Sequence, residues 1–351
     1  MSYIKKPAVR HPSLLPNKLG LTVRDYEGSM STLCAGCGHD SITAGLVKAF
    51  YELDTPPHMV AKLSGIGCSS KTPTYFLSGA HGFNSAHGRM AAIASGAAAA
   101  NRDLKYIGVS GDGDSLSIGL GQLCHAIRRN VHMLYVIENN GCYGLTKGQF
   151  SASADVGSKS KKGEVNTQPP IDPALLALSL GATFVARSFS GDKESLVPLL
   201  KAGLSHKGFA LIDVISPCVT FNDHVGSTKS YLHTRKNQLP VVSTDYVPLR
   251  DEITAAIAPG TTRLIEMHDG SHLRLHNVAK DYDATNRANA MAFLQAKQQG
   301  GEIPMGLLFI DEGGVEMHEG NHTVDRPLSQ VPFEELCPGA KALEKLQEAY
   351  R

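Results

Sequence analysis

Residues 104–140 confine this chain to one kind of fold. "LKYIGVSG" is a short apolar run that stops at glycine, "SLSIGLGQLCHAIRRN" carries apolar residues at helical spacing and closes on two arginines that suit a helix C-terminus, and "VHMLYVIE" is a second apolar run. Strand, helix and strand in so short a stretch make a βαβ unit with two parallel strands. The rhythm continues on both sides. "MVAKLSGIG" at 59–67 reads as a buried strand and "MAAIASGAAAAN" at 90–101 as an alanine-rich helix packed closely on a sheet. "DPALLALSLG" has an Asp cap, Pro in the first turn and a closing Gly, and "ATFVARSF", "DKESLVPLLKAGLSH" and "FALIDVIS" follow as strand, helix and strand. Alternation of this kind predicts an α/β fold, with a parallel sheet covered by helices on both faces. Residues 151–169, "SASADVGSKSKKGEVNTQP", are polar and read as a loop, with Lys159, Lys161 and Lys162 as a solvated charge run. From Ser243 the rhythm becomes irregular. The expected organisation is an N-terminal arm (1–30), a main domain (31–242) and a C-terminal extension (243–351).

A formal charge of +1 argues against nucleic acid as the main partner. No apolar run approaches about 20 residues, so no membrane span is expected. The start, "MSYIKKPAVRHPSLLP", has basic residues with no apolar core behind them and does not read as a secretory signal. Seven cysteines, odd in number and unevenly spaced, suit a reducing cytoplasm better than a disulfide framework.

The βαβ unit brings polar side chains to one end of the sheet. Asp112 follows the first strand in "GDGD", and Asn139 and Asn140 follow the second, so both groups lie at the carboxyl ends of parallel strands, where open sheets bind ligands. A lone "GDG" also fits a plain strand–turn–helix with a capping Asp. The paired "NN", 28 residues from Asp112 to Asn140, favours the functional reading. Gly111 and Gly113 let the backbone turn and approach a ligand. The helix starting near Ser115 points free N–H groups at the same place, which favours a phosphate. Asp and Asn oxygens are hard ligands that suit Mg²⁺ with phosphate in its shell, whereas the Cys142 thiol is too soft for that ion.

The second constellation is "LCAGCGH" at 33–39, which sets Cys34 and Cys37 two residues apart, with Cys68 in "SGIGCSSKTP" and Cys218 in "SPCVTFND" further on. Such a pair grips one metal centre from a single turn, and two distant cysteines complete a four-thiolate set. Spacing alone leaves structural zinc, a redox CxxC and an iron–sulfur cluster open. The crowding glycines Gly36, Gly38, Gly65 and Gly67 favour backbone wrapped around a bulky cofactor. Cys124 and Cys337 read as structural, as do His125 and His132, and His39 reads as a helix-start residue. His87 suits either a cofactor contact or a helix cap, and Arg89 either a phosphate or a partner carboxylate.

In chain order, "CAGCG", "SGIGCSSKTPTYF", "FNSAHGR", "GDGDSLSIG", "CHAIRRN", "NNGCYGLTKGQ" and "CVTFND" resemble the β subunit of 2-oxoacid:ferredoxin oxidoreductases, a thiamine diphosphate-binding family. The resemblance is dense over residues 31–240. It is looser in "EMHDGSHLRLH" and "DYDATNRANAM", which are similar to the C-terminal extension of bacterial 2-oxoglutarate-type members. It implies that Asp112, Asn140 and the backbone carbonyl of Cys142 bind Mg²⁺, and that Gly113, Asp114, Gly144 and Leu145 border the diphosphate. Ile66, Gly67, Ser69 and His87 would border the thiamine, and Cys34, Cys37, Cys68 and Cys218 would hold a [4Fe–4S] cluster. Lys71 would face the substrate carboxylate. The implied reaction decarboxylates a 2-oxoacid oxidatively, passes electrons through the cluster to ferredoxin and gives the acyl group to coenzyme A. It also implies a partner α subunit in an αβ or (αβ)2 assembly, because thiamine catalysis needs a glutamate from a pyrimidine-binding domain, and Glu138 sits at the diphosphate end. Two positions depart from the family pattern. Ala35 replaces a common Pro, and "SAS" at 151–153 replaces the usual "SPT", so a role for that loop's threonine does not carry over.

Overall fold

The computed structural model describes residues 13–247, 262–267, 272–277, 282–337 and 339–350. The first twelve residues of the expected arm, and parts of "EMHDGSHLRLH" and "DYDATNRANAM", lie outside the described residues. In the N-terminal half, helix α1 (Gly38–Glu52) precedes β1 (Val60–Ser64), α2 (Thr72–Tyr75), β2 (His81–Asn84), α3 (Met90–Ala100), β3 (Lys105–Gly111), α4 (Leu120–Arg128) and β4 (Met133–Asn139). A short hairpin, β5 (Cys142–Tyr143) and β6 (Gln149–Phe150), leads into α5 (Pro173–Ser179), β7 (Phe184–Phe189), α6 (Lys193–Ser205), β8 (Phe209–Ile215) and α7 (Tyr231–Asn237). Beyond these come β9 (Gln238–Val247), β10 (Thr262–Glu266), β11 (His272–Asn277), α8 (Arg287–Gln299) and β12 (Ile303–Ile310).

One sheet runs in the order β10-β11-β9-β12-β7-β8-β4-β3-β1-β2. Strands β7, β8, β4, β3, β1 and β2 are parallel neighbours, as the alternation predicts. The sheet is mostly rather than wholly parallel: β12 lies antiparallel to β7, and β9, β11 and β10 pair antiparallel. Strand β9 crosses residues 242 and 243, so the irregular C-terminal sequence adds strands to the same sheet. Helices cover both faces. Gly203 of α6 lies against Leu134, Ala210 and Ile212, while Met90 of α3 lies against Gly108. Gly108 pairs with Tyr135, which points to the opposite face from Leu134. No described helix is long and apolar enough to cross a membrane.

The predicted helix over 115–130 divides in two. Gly113–Ile118 form a π-helical turn before α4 begins, with the Gly119 N–H donating to Asp114 O at 2.8 Å. The Gly88 N–H donates to Asp114 Oδ1 at 2.8 Å, and Gly88 and Gly119 approach so closely that neither has room for a Cβ. Wide turns of this kind recur at functional sites.

Among the described residues, four buried strand residues are charged types, which an apolar interior tolerates only when they are paired. Lys62 Nζ donates to Pro73 O, Phe76 O and Leu77 O at 2.6–2.8 Å, anchoring α2 and the chain just beyond it. Arg187 Nε donates to Asp213 Oδ2 at 2.8 Å across adjacent strands β7 and β8. Glu138, on β4, is the fourth.

Candidate functional site

A cavity of about 370 Å³ opens at the carboxyl ends of β1, β3 and β4. Its walls include Ile66, Gly67, Cys68, Ser69 and His87, then Asp112, Gly113 and Asp114, then Asn140, Cys142, Gly144 and Leu145. Every residue the sequence assigns to the thiamine diphosphate and its magnesium therefore faces one space. His87 lies on the wall and does not cap α3, whose N-cap is Arg89. Leu145 and Ile118 are half exposed at this cavity. Lys71 is not among the lining residues; its Nζ lies 3.5 Å from Thr32 Oγ1.

Asp112 is 1% exposed and makes no ion pair among the described residues. Its Oδ2 is saturated, accepting from the Gly141 N–H at 3.0 Å, from Ser153 Oγ at 2.6 Å and from Ser151 Oγ. Its Oδ1 takes only a long 3.4 Å contact from the Asn140 N–H. Burial raises the carboxyl above its ordinary pKa, partly offset by the two serine hydroxyls. A buried carboxylate with one oxygen spare and no ion pair among the described residues fits a divalent cation. Asn140 Oδ1 accepts from the Cys142 N–H at 3.0 Å, which fixes its orientation at the cavity wall. Asp114 lines the cavity, but its oxygens serve the fold, accepting from the Gly88 N–H and from Ser110 Oγ at 2.9 Å. Gly113 has no room for a side chain: a Cβ there would sit 2.5 Å from the Tyr143 ring.

Sequence reasoning missed the support behind Asp112. Ser151 and Ser153, noted only as a departure, are its hydroxyl donors. Ser153 Oγ also lies 2.9 Å from Asn139 Oδ1, Asn139 Nδ2 donates to Asp213 Oδ1 at 3.0 Å, and Asp213 accepts from Arg187. Arg187 Nη2 continues to Asp172 Oδ2 at 2.6 Å, where Gln298 of α8 also donates. The chain of bonds runs from Asp112 to a helix of the C-terminal region. Arg and Asp inside two otherwise apolar strands were the available signal. Ser153→Ala removes one donor from this chain. It is expected to weaken Mg²⁺ affinity about tenfold and to cost only about 1 kcal/mol of stability, measured by calorimetry and urea unfolding.

The four expected cluster cysteines are free, and their segments converge. The Cys37 N–H donates to Cys34 O at 3.0 Å, closing the turn at Gly36, whose carbonyl accepts from Tyr231 of α7. Thr220 Oγ1 lies 3.8 Å from Cys34 Sγ. A Cβ placed on Gly144 would stand 3.5 Å from both Cys68 Sγ and Cys218 Sγ, so the glycine leaves open the space beside these sulfurs. Asn222, four residues after Cys218, donates through Nδ2 to Asn140 O at 2.8 Å and ties this segment to the cavity. Burial holds the Cys37 thiol up at about 12, whereas the Cys142 thiol donates to Cys218 and lowers it to about 6. Among the described residues no group of three His, Cys, Asp or Glu is arranged to hold a single metal ion. In a [4Fe–4S] cluster each thiolate binds an iron of its own, and open space beside the thiols suits that larger group.

A mostly parallel sheet with polar groups gathered at its carboxyl edge defines the chain as a ligand-binding α/β fold, and the family described as "Thiamine pyrophosphate enzyme, C-terminal TPP binding domain" matches residues 65–214. A chain from Sulfolobus sp., "2-oxoacid:ferredoxin oxidoreductase subunit beta", is 37% identical over 268 residues, covering 74% of this chain and 87% of that one. "2-oxoglutarate oxidoreductase subunit KorB" of Mycobacterium tuberculosis is 42% identical over 192 residues, covering 54% of this chain and 51% of that one. The solved "2-oxoglutarate:ferredoxin oxidoreductase from Magnetococcus marinus with 2-oxoglutarate, coenzyme A and succinyl-CoA bound" superposes with a TM-score of 0.71 at 29% identity, covering 89% of this chain and 91% of that one. The chain belongs to the 2-oxoacid:ferredoxin oxidoreductase β-subunit family.

Proposed function

We propose that the chain is the β subunit of a cytoplasmic 2-oxoglutarate:ferredoxin oxidoreductase. The reaction converts 2-oxoglutarate and coenzyme A to succinyl-CoA and CO2 and passes two electrons to ferredoxin. The observation that carries this reading is the single cavity lined by the "GDGD", "NNGCYGL" and "GIGCS" residues, with Cys68 in its wall. The 2-oxoglutarate named for two of the related proteins favours that substrate over pyruvate.

Asp112, Asn140 and the Cys142 carbonyl would hold Mg²⁺, and Gly113, Asp114, Gly144 and Leu145 would border the diphosphate. Cys34, Cys37, Cys68 and Cys218 would hold a [4Fe–4S] cluster. When bound, thiamine diphosphate supplies the carbanion chemistry that releases CO2, and the cluster supplies one-electron transfer. The chain's own work is placement. Ser151 and Ser153 hold Asp112, the Cys142 N–H turns Asn140, and Ile66, Gly67, Ser69 and His87 shape the wall facing the thiamine. Cys68 belongs to both sites, which keeps the electron path short. Lys71, three residues on, lies outside the cavity wall and would have to turn from Thr32 to meet the substrate carboxylate.

The assembly needs an α subunit. Glu138 turns away from the cavity towards Thr72 and His39, so no role at the aminopyrimidine ring falls to it. That glutamate comes from the partner's pyrimidine-binding domain, in an αβ or (αβ)2 complex that ferredoxin docks against. The test compares this chain alone with the co-expressed pair. Each is supplied with iron, sulfide, Mg²⁺ and thiamine diphosphate, and 2-oxoglutarate- and coenzyme A-dependent viologen reduction is measured. Turnover is expected only in the pair. Equal turnover by the chain alone removes the partner requirement, and a preference for pyruvate overturns the substrate assignment.

A further inference from the structure

Glu138 is fully buried at the end of β4, held in register between Gly111 of β3 and Val214 of β8. Its side chain contributes nothing to the cavity walls. It faces instead a group of polar residues drawn from three separate segments. Thr72 Oγ1 donates to its carboxyl, 3.0 Å from Oε1 and 3.1 Å from Oε2. His39 Nδ1 lies 3.3 Å from Oε2 and 2.7 Å from Ser216 Oγ. All three neighbours are at most 1% exposed. Thr72 stands four residues after Cys68, His39 two residues after Cys37, and Ser216 two residues before Cys218.

We infer that Glu138 is a positioning residue for the iron–sulfur site, fixing the segments that carry Cys37 and Cys68 to the same rigid strand that already holds the Cys218 segment through β8 and the bond from the Ser216 N–H to Asn139 O. The inference rests on the reading that these cysteines bind the cluster. Sequence distance makes the frame necessary. The three segments lie far apart in the chain, and holding their thiols together without a cluster carries an entropic cost that β4 takes up through side-chain bonds. The strand suits this task because it is central in the sheet and hydrogen-bonded on both sides. Lys62 strengthens one arm by binding Pro73 O, next to Thr72. Cys34 joins through the bond from the Cys37 N–H to its carbonyl. A leucine at 138 would fill the space with no polar group to satisfy, yet it would leave the Thr72 hydroxyl without its acceptor and His39 without its carboxylate neighbour, while Ser216 stays bonded to Asn139 O.

The test uses the co-expressed complex with Glu138→Gln, Glu138→Leu, Thr72→Val and, as a control on the cysteine reading, Cys68→Ala. The readouts are iron per chain, absorption near 400 nm, the rate of cluster loss to a chelator, and the cluster's reduction potential. Melting temperature reports whether each variant is folded. Glutamine keeps the acceptor oxygen, so Glu138→Gln should release its cluster within about twofold of the parent rate, whereas Glu138→Leu should release it about tenfold faster or more. Its reduction potential should also shift. Thr72→Val should fall between the two, and it decides the matter if Glu138→Leu fails to assemble. Parent-like release and potential in folded Glu138→Leu, or in Thr72→Val if that variant must decide, overturn the inference. If Cys68→Ala keeps its iron, the cysteine reading fails first. If Cys68→Ala loses its iron while Glu138→Leu keeps it, only the role of Glu138 fails.

Discussion

Asp112→Ala is expected to abolish Mg²⁺-dependent binding of thiamine diphosphate while the complex keeps its iron. Asp112 is the only charged side chain proposed as a protein ligand to the metal, and its carboxylate is buried and makes no ion pair among the described residues. Losing one partner of a buried charge pair costs about 3–5 kcal/mol, which is roughly a hundredfold or more in affinity. Calorimetry on the assembled complex measures this directly, and an unchanged affinity removes Asp112 from the metal site. A second measurement separates the metal role from a folding role. Burial raises the Asp112 pKa in the folded chain, so the folded state holds its proton to higher pH than the unfolded state does. Its contribution to metal-free stability therefore falls as pH rises from the ordinary carboxylate value towards the raised one. Asp112→Asn should remove that slope without lowering stability at neutral pH, and saturating Mg²⁺ should stabilise only the parent.

The other large effect belongs to the cysteines. Replacing Cys34, Cys37, Cys68 or Cys218 with Ala is expected to remove the absorption near 400 nm, lower iron per chain and abolish electron delivery to ferredoxin. Cys218 is the informative case. It lies farthest along the chain from the other three, yet its sulfur shares the space beside Gly144 with that of Cys68. Full iron and full activity in Cys218→Ala would exclude it as a ligand. Cys142→Ala is the control: its thiol only donates to Cys218, so iron should be unchanged.

The strands and helices that carry the cavity were legible because each depends on local pattern. The apolar run ending in "GDGD" and the capped "DPALLALSLG" appear as β3 and α5, with Asp172 accepting from the Leu175 N–H as the cap. The cavity walls were legible for a related reason, since a parallel sheet delivers the ends of its strands to one edge. What local pattern could not show is pairing across long sequence distance. Arg187 with Asp213, Ser153 with Asp112 and Glu138 with His39 are set by sheet order and strand register, and neither can be read from a charge standing inside an apolar run. The antiparallel addition of β12 was hidden likewise, because an apolar strand reads the same in either direction.

The end of β4 places three consecutive polar side chains in three different surroundings. Glu138 meets the cysteine-bearing segments, Asn139 meets Asp213 and Ser153, and Asn140 meets the cavity. Alternation along a strand separates the neighbours, so deleting or inserting one residue upstream would turn all three to the wrong side at once. Length changes should therefore be tolerated in the exposed part of the polar loop, residues 156–165, far better than anywhere in Val131–Asn140. A library of single-residue insertions screened for iron and thiamine content would show that stretch as a sharp gap beside a tolerant loop.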